Sequence, residues 1–309
     1  MEPSVNLRKP WMVAVWPGIG HVAINAGYFL MSNLEMAVLA ELQVSDLFEV
    51  DHVVIDKGIL HTGRRPRSRF FYWSNPSQEH DLVIFLGEAQ PQLGKHQYCQ
   101  SIIEFAMRIG VERIYTFAAM ATQMHPQHDS RVFFAATHEE SLKEIQNQPV
   151  QILEEGQISG LNGLLLGVAA EKGLQGGCLL GEMPHVFSQL PFPKASLAVL
   201  EVFTSLMGIE VDLTELASQA SQMDDQLGAL LSQVEEQLGH PITSSEVEKP
   251  VEATAMEKLT PEDHARLDKL FDEAGGDRKK AFELKQELDR LKVFKEFEDR
   301  FLDLFKNSN

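Results

Sequence analysis

The stretch of residues 156–184, GQISGLNGLLLGVAAEKGLQGGCLLGEMP, restricts the fold of this chain most strongly, because it combines closely spaced glycines with two apolar runs. The run at residues 164–170 follows a Gly-rich turn and predicts the start of a buried helix. Residues 176–181 predict a turn into a short buried strand. Glycines at this density indicate a close approach of the backbone, either to another element of the fold or to a ligand.

Composition limits the class of protein. With 309 residues, 44% apolar and 23% charged, the chain can form one large α/β domain with or without an appendage. Its net charge of −18 disfavours a nucleic-acid partner, because an acidic surface repels phosphates. Its apolar runs are far shorter than the ~20 residues of a membrane-spanning helix, and no signal-peptide pattern opens the chain. We therefore expect a cytoplasmic protein with no membrane and no nucleic-acid partner.

Short apolar runs alternate with segments of helical spacing along the first 240 residues. Strands are predicted at residues 11–16, 50–55, 82–88, 112–121, 131–136 and 150–153, with a hairpin at 58–73. Helices are predicted at residues 20–42, 98–109, 193–207 and 214–238. A capping box of Thr137 and Glu140 predicts a further short helix. This alternation is typical of an α/β fold in which helices cover a parallel sheet.

The turn after the first strand contains Gly18, Gly20 and Ala23, which formally match the GxGxxA fingerprint of dinucleotide-binding sites. That fingerprint also needs an acidic residue at the end of the second strand, about 20 residues further on. Glu41 falls in or just after the predicted long helix, and Asp56 is too distant. Close packing of helix on strand is therefore the preferred interpretation of these glycines, and a dinucleotide site is the alternative.

Two further features could belong to a site. Glu88 follows the apolar strand at residues 82–88, and ligands of parallel sheets gather at the carboxyl ends of the strands. An ordinary surface loop is the alternative for this residue. The four arginines within residues 64–69 form the one basic cluster of the chain. They predict an exposed loop that enters an edge strand, with an anion or partner site as the alternative.

Patterns for metal binding and for nucleophilic or nucleotide chemistry are weak. His125, His128 and Asp129 lie close together on a polar loop, but two ligands three residues apart across a proline make a poor metal signal. The two cysteines, Cys99 and Cys178, predict neither a disulfide framework nor a Cys-based metal site. We expect no metal and no cofactor.

The composition changes near the end of the first 240 residues. Residues 241–258 are rich in Glu, Pro, Ser and Thr and predict a linker. Residues 259–309 predict a helical hairpin, with helices at about 260–274 and 277–305 separated by Gly275 and Gly276. The apolar stripe of this hairpin must be buried against its own partner helix, the main domain or another subunit.

Three segments resemble the PAC2 family, named for proteasome assembly chaperone 2. They are WPGIGHVAINAGYFL, the strand that ends in LGEAQP, and the Gly-rich block; PFPKASLAVLEVFTSLMGIEVDL after them is also similar. The resemblance covers about residues 10–240. It implies a three-layer α/β/α sandwich related to nucleoside phosphorylases, a homo-oligomer that is a trimer by analogy, and a role in assembly chaperoning and proteasome binding. Some archaeal relatives bind the proteasome through a C-terminal tail with a penultimate Tyr, whereas this sequence has Ser308 there.

Two functional hypotheses follow. The first is a non-enzymatic oligomeric scaffold or assembly chaperone that binds protein partners. The second is a small-molecule-binding protein or enzyme that uses a cleft at the strand ends, since some relatives are labelled as ATP-grasp or carboligase proteins and the implied fold is phosphorylase-like. The candidate cleft or interface residues for both are Gly18, Gly20, His21, Asn25, Glu88, Gly160, Asn162, Gly163, Glu182 and His185.

Overall fold

A computed structural model of the chain describes residues 5–50, 53–77, 79–238 and 261–274, and eight separate residues between 280 and 300. The chain divides into two compact units, residues 1–250 and 251–309. The predicted linker at residues 241–258 lies outside the described residues. The boundaries 1–240, 241–258 and 259–309 therefore stay a prediction.

The strands of the first unit form two sheets. They are β1 (Trp11–Val15), β2 (Ala37–Glu41), β3 (Val53–Asp56), β4 (Ile59–Thr62), β5 (Ser68–Trp73), β6 (Leu82–Gly87), β7 (Arg113–Thr122), β8 (Val132–Ala136), β9 (Val150–Ile152) and β10 (Gln175–Pro184). Eight strands form one sheet in the order β2-β5-β6-β1-β7-β10-β8-β9, and β3 pairs with β4 separately. Because β6, β1, β7 and β10 are parallel, they end at one side of the sheet, which we call the carboxyl edge.

Helices cover both faces of the large sheet. The helices described in the first unit are α1 (Val22–Asn33), α2 (Lys95–Arg108), α3 (Glu139–Ile145), α4 (Gly160–Glu171), α5 (Pro193–Met207) and α6 (Thr214–Leu238), and α7 (Pro261–Ala274) belongs to the second unit. Val13 and Val15 of β1 belong to the core cluster that contains buried residues of α1 and α5. Met12 and Ala14 belong to the cluster that contains those of α2 and α4. The predicted α/β fold is confirmed, while its likeness to nucleoside phosphorylases stays a prediction.

The glycines of β10 allow this strand to lie close to its neighbours. β10 pairs with β7 along ten residues and with β8 along five. A Cβ atom at Gly181 would lie 2.5 Å from the carbonyl oxygen of Ala195 in α5, and one at Gly177 would lie 2.5 Å from that of Ala135 in β8. These glycines lie inside the buried ten-residue strand β10, so the predicted buried strand is confirmed, while the turn predicted within residues 176–181 is wrong. At Gly177 and Gly181 the close approach of the backbone is therefore to other elements of the fold.

The single long helix predicted at residues 20–42 is wrong. α1 ends at Asn33, Glu35 has a left-handed φ of 49°, and the chain then enters β2. Ala37 and Val38 continue the helical spacing in the sequence, but both are exposed on an edge strand. An edge strand with exposed apolar residues has no burial pattern that distinguishes it from a helix.

The hairpin predicted at residues 58–73 is also wrong in its pairing. The observed hairpin consists of β3 and β4, which includes the strand predicted at 50–55, and its turn lies at Lys57 and Gly58. β5 instead pairs with β6 and β2 in the large sheet.

The predicted capping box before α3 is not formed. His138 is the N-cap residue, and the Thr137 hydroxyl donates instead to the carbonyl groups of Leu174 and Gly176.

The second unit has a small core of its own. Its buried cluster consists of Phe271 of α7 together with Leu267, Ala274, Leu284, Leu288 and Val293. The Arg300 guanidinium lies 4.2 Å from the centre of the Phe271 ring and donates to Asp268 at 2.6 Å. The apolar stripe of the predicted hairpin is therefore buried in part within its own unit. Much of the predicted second helix, at residues 277–305, lies outside the described residues.

The packing of β10 predicts the effect of adding one methyl group. Gly181→Ala should lower the free energy of unfolding by about 1–3 kcal/mol, because the new Cβ meets backbone that cannot move aside. Urea unfolding followed by circular dichroism measures this change.

Gly167→Ala is the matched control. Among the described residues no atom lies within 4 Å of a Cβ at Gly167, apart from its own helix. This variant should raise the free energy of unfolding by up to ~1 kcal/mol, because alanine favours the helix. Equal effects of the two substitutions would contradict the packing account.

Candidate functional site

The candidate residues predicted from the sequence lie along the carboxyl edge of the sheet. They come from four segments of the chain that end or begin at this edge. The first segment follows β1 and contains Gly18, Gly20, His21 and, in the first turn of α1, Asn25. The second segment follows β6 and contains Glu88, and the third opens α4 with Gly160, Asn162 and Gly163. The fourth segment is the end of β10, with Glu182 inside the strand and His185 directly after it. Whether they act as a site stays a prediction.

The structure does not bring all of these residues into one cleft. Asn25 lies in α1 and Asn162 in α4, and these two helices cover opposite faces of the sheet. The strand ends of β1 and β6 are linked through Gln90, whose Nε2 donates to the Pro17 carbonyl oxygen at 3.4 Å. The Gln90 amide also lies beside Gly160, since a Cβ there would be 3.3 Å from its Oε1. Gln90, two residues after Glu88, therefore connects the segment that follows β6 with the turn after β1 and with the start of α4.

The Glu88 carboxylate is surrounded by donors from the arginine cluster. Arg64 Nη1 lies 2.9 Å from its Oε2, and Arg69 Nη2 lies 2.9 Å from its Oε1. The backbone N–H of Arg67 donates to Oε2 at 2.9 Å. Burial raises the pKa of Glu88, but the hydrogen bonds from Arg67 and Arg64 and the nearby charges outweigh it and lower the pKa below its ordinary value. Glu88 is thus an ionised carboxylate whose oxygens are already engaged.

A second carboxylate, that of Glu41, contacts the arginine cluster, and its position shows why the first turn does not fit a dinucleotide site. Glu41 ends β2 and accepts hydrogen bonds from the Arg67 guanidinium. Glu41 is therefore an acidic residue at a strand end, contrary to the sequence prediction. However, β5 and β6 separate β2 from β1. The dinucleotide fold requires these two strands side by side, so Glu41 is not next to the turn that contains Gly20.

Glu182 is buried in a second charged cluster. Its carboxylate accepts from Arg131 Nε at 2.7 Å and Nη2 at 2.6 Å, and from the Thr122 hydroxyl at 2.8 Å. Its side chain is only 2% exposed. Burial raises the pKa of Glu182, and the hydrogen bonds from Arg131 and Thr122 outweigh burial and lower it. His185 Nδ1 lies 3.0 Å from the Thr122 carbonyl oxygen, so this histidine contacts the same segment.

Sequence reasoning did not find Arg131 or Thr122. Arg131 is 51 residues from Glu182 and Thr122 is 60 residues away. Neither belongs to a local motif, because the pairing is created by the register of β10 with β7 and β8. The arginine cluster is visible in the sequence, but only the structure shows that it pairs with Glu88.

Both glutamates are poorly suited to general acid-base catalysis at neutral pH. That role is most effective when the pKa of the group is near the working pH. The pKa values of Glu88 and Glu182 are instead lowered by their cationic partners. The hypothesis that burial prepares one of these carboxylates for proton transfer therefore lacks support from its electrostatic surroundings.

Of the remaining candidates, two glycines are fixed by packing, and one asparagine has a buried oxygen without a hydrogen bond. Gly20 has a φ of 59° and lies against the Met183 side chain, so it is fixed by packing. Gly163 lies against the Ile158 carbonyl oxygen, which also leaves no space for a side chain. The Asn162 Oδ1 atom is buried and accepts no hydrogen bond from the described residues. Among the candidate residues, Asn162 therefore has a buried side-chain oxygen with spare hydrogen-bonding capacity.

No metal cluster is found in the described part of the chain, taking groups of three or more His, Cys, Asp or Glu side chains. His125 and His128 have ring centres 5.6 Å apart, and His125 Nδ1 accepts from the backbone N–H of Gln127. Burial raises the pKa of both Cys99 and Cys178 to about 12, so neither thiol is reactive at neutral pH. None of the helices described combines the length and apolar character needed to cross a membrane.

Comparison with known proteins gives consistent matches. The model of the PAC2 family matches residues 12–249. A protein of Methanocaldococcus jannaschii is 28% identical over 221 residues, which are 71% of this chain and 81% of that protein. PbaB of Pyrococcus furiosus, an archaeal proteasome activator, is 27% identical with a TM-score of 0.63 and covers 74% of this chain and 99% of its own. A proteasome-assembly chaperone homologue of Mycobacterium tuberculosis, 18% identical with a TM-score of 0.63, covers 72% of this chain and 95% of its own and supports the fold alone.

The pKa of Glu182 predicts a pH-dependent contribution to stability. Because its folded pKa is lowered, the ion pair stabilises the fold above the ordinary pKa of about 4.5 and loses this effect as the pH falls through the folded pKa. Glu182→Gln should therefore lower the free energy of unfolding by about 1–3 kcal/mol at pH 7. The difference from wild type should shrink below pH ~4.5, as measured by urea unfolding across the pH range.

Glu144→Gln is the control for this measurement. Glu144 pairs with Arg113 at 2.6 Å, but its side chain is 34% exposed, so its removal should cost less than ~1 kcal/mol at pH 7. A difference between Glu182→Gln and wild type that stays constant from neutral to acidic pH would show that the ion pair is not its cause.

Proposed function

Because the chain belongs to the PAC2 family, we propose that it is a non-enzymatic assembly chaperone that binds proteasome subunits or a related protein complex. It acts in the cytoplasm as a homo-oligomer, a trimer by family analogy. The observation that carries this proposal is the likeness to the archaeal proteasome activator of Pyrococcus furiosus, which extends over 99% of that protein.

The chemistry of the carboxyl edge supports a binding role. In an α/β enzyme the groups at the strand ends face the substrate and keep free hydrogen-bonding capacity. Here Glu88 is bound by Arg64 and Arg69, and Glu182 is bound by Arg131. Gly20 and Gly163 are occupied by packing against the protein itself. These interactions hold the loops of the edge in fixed positions, as a protein-binding surface requires.

A small-molecule function is the second candidate, and Asn162 is the observation that favours it. Its Oδ1 atom is buried at the start of α4 without a hydrogen bond from the described residues. A ligand that donates to this atom would satisfy it. Under this candidate, Asn162→Ala would weaken binding of a ligand found in a thermal-shift screen of metabolites, because the substitution removes the buried oxygen that the ligand would satisfy.

The chaperone proposal predicts direct binding to proteasome subunits. Purified full-length chain, mixed with purified α-type subunits from the organism that encodes it, should form a complex that sediments faster than either protein alone. Asn162→Ala serves as the control variant and should form the same complex, since the chaperone proposal assigns no role to the Asn162 side chain.

Separate sedimentation of the two proteins at micromolar concentration would contradict the proposal. A metabolite that stabilises the wild-type chain but not Asn162→Ala would favour the second candidate. The two results come from different measurements, so each hypothesis has its own test.

A further inference from the structure

The large sheet has an incomplete ladder at the end where β8 pairs with β9. β9 has three residues and pairs with residues 132–134 of β8. One further bond, from the Leu153 N–H to the Phe134 carbonyl oxygen at 2.9 Å, closes this ladder. β8 continues beyond it with Ala135 and Ala136. The last part of β8 therefore has β10 on one side and no strand on the other, as far as the structure is described.

The register shows which backbone groups of β8 point to this open side. The Thr137 N–H donates to the Gly176 carbonyl oxygen at 2.9 Å, so Thr137 faces the β10 segment, whereas Phe134 accepts from Leu153 on the β9 side. Because the bonding direction alternates along a strand, the N–H and C=O groups of Ala136 point away from β10. In the described part of the chain neither group has a hydrogen-bond partner.

A groove of about 790 Å³ lies on this open side, and we call it the β8 groove. The end of β8, the start of α3 and the segment that follows β9 form its walls. Ile152, Leu153 and Leu142 contribute apolar side chains, and Ile152 is 43% exposed. The groove thus combines an apolar lining with an unpaired backbone donor and acceptor of Ala136.

The ionised side chains of the β8 groove are all acidic. Glu139 and Glu140 lie on the α3 side, and Glu154 lies on the side of β9. All three residues are exposed, and none of them forms an ion pair with a described residue. No lysine or arginine is among the residues that line the groove. Its three carboxylates are therefore available to a cation from outside.

His138 adds a further acceptor to the β8 groove. The Thr137 hydroxyl donates to the carbonyl oxygens of Leu174 and Gly176 at 3.3 and 3.2 Å. Since its one hydrogen is used there, its oxygen accepts from His138 Nδ1, which lies 2.9 Å away. In its neutral form His138 thus carries the ring proton on Nδ1 and keeps a lone pair on Nε2.

These features together favour one kind of occupant. An open strand edge pairs with an extended peptide, whose backbone supplies the missing donors and acceptors. Side chains that only accept hydrogen bonds are complemented by lysine and arginine, which only donate. If the same edges of two copies paired with each other, each copy would bring the same three carboxylates, and their repulsion disfavours that contact.

We propose that the β8 groove binds an extended segment of a partner protein in which lysine or arginine alternates with apolar residues. The backbone of that segment pairs with Ala136 and continues the sheet beside β8. Its cations lie against Glu139, Glu140 and Glu154. Ala136 lies opposite Gly177, near the start of β10, so the groove is on the other side of the sheet from the carboxyl edge. The inference therefore goes beyond the proposed function and does not depend on it.

Fluorescence anisotropy with the purified full-length chain tests the charge of the β8 groove. The probe is a short labelled peptide in which valine and lysine alternate. Glu139→Gln with Glu154→Gln should raise its dissociation constant by about tenfold, because two charge pairs at the rim are lost.

The matched control is Glu104→Gln with Glu210→Gln, which removes the same charge from exposed residues outside the groove. This control should bind the peptide as the wild type does. Equal weakening by the two double variants would show general attraction to an acidic protein and would overturn the proposal. So would equal affinity for a peptide in which valine and glutamate alternate.

Methylated peptides test the backbone pairing on the wild-type chain. In one peptide the backbone nitrogens of the lysines carry methyl groups, and in the other those of the valines do. Only one of these two sets of N–H groups faces the edge of β8, because the bonding direction alternates along a strand. One peptide should therefore lose its binding and the other should keep it. Equal affinities of the two peptides would rule out pairing with a strand edge.

Hydrogen exchange measured at single amides tests the position of the bound peptide. In the free chain the Ala136 amide should exchange faster than that of Thr137, which donates to Gly176. Saturating valine–lysine peptide should slow exchange at Ala136 by about tenfold or more. A protected Ala136 amide in the free chain would show that another segment or copy already covers the groove. That result, or unchanged exchange at Ala136 with the peptide bound, would contradict the proposal.

The peptide experiments need no proteasome subunit, so their outcome is separate from that of the proposed function. A wild-type chain that binds proteasome subunits but not the peptide would refute the β8 groove and leave the chaperone function standing. A chain that binds the peptide as described but no proteasome subunit would support the groove and refute the chaperone function.

Discussion

The backbone of β10 lies between β7 and β8 and against α5 at distances that a Cβ atom does not allow. Gly177 and Gly181 permit these approaches, and the ten-residue register with β7 then fixes where both strands end. α4 leads into this strand and α5 follows it, so one continuous segment supplies the centre of the sheet and a helix on each face. The positions of the other loops at the carboxyl edge depend on this packing.

The carboxyl edge carries polar side chains whose surroundings do not favour proton transfer. Glu88 and Glu182 lie where ligands of α/β proteins bind, but arginines lower their pKa values and occupy their oxygens. Such ion pairs hold loops in place and leave little capacity for proton transfer. A surface of fixed loops with exposed apolar residues such as Ile19 and Leu190 is a physical basis for protein binding. Family membership and the chemistry of this edge therefore agree.

The sequence predicts the elements that are buried by a regular pattern. α5 and α6 begin and end as predicted, because Pro193 suits the first turn of a helix and Gly208 ends α5 with a left-handed φ of 70°. The strand predicted at residues 82–88 corresponds to β6, because a strand buried on both faces is continuously apolar. Local patterns determine these elements, so one sequence is sufficient to find them.

Elements that depend on distant residues were not predictable in the same way. The sequence predicts a helix over β2 because apolar residues such as Val38 continue the helical spacing, although Val38 is exposed. β3 and β4 likewise expose aliphatic residues such as Ile55, which a sequence pattern would place inside. The partner of Glu182 is Arg131, and only the register of three strands brings the two together. Whether the candidate residues form a site stays a prediction, and their charge pairing and their division into separate groups along the edge required the structure.

Native mass spectrometry of the full-length protein, purified gently from its own source, tests the central claim most directly. One spectrum reports the number of subunits, bound proteins and bound small molecules together. The chaperone account predicts a multiple of the 34.7 kDa chain that carries a second protein, with proteasome subunits as the expected partner. A single chain that carries a stoichiometric small molecule and no protein would contradict it.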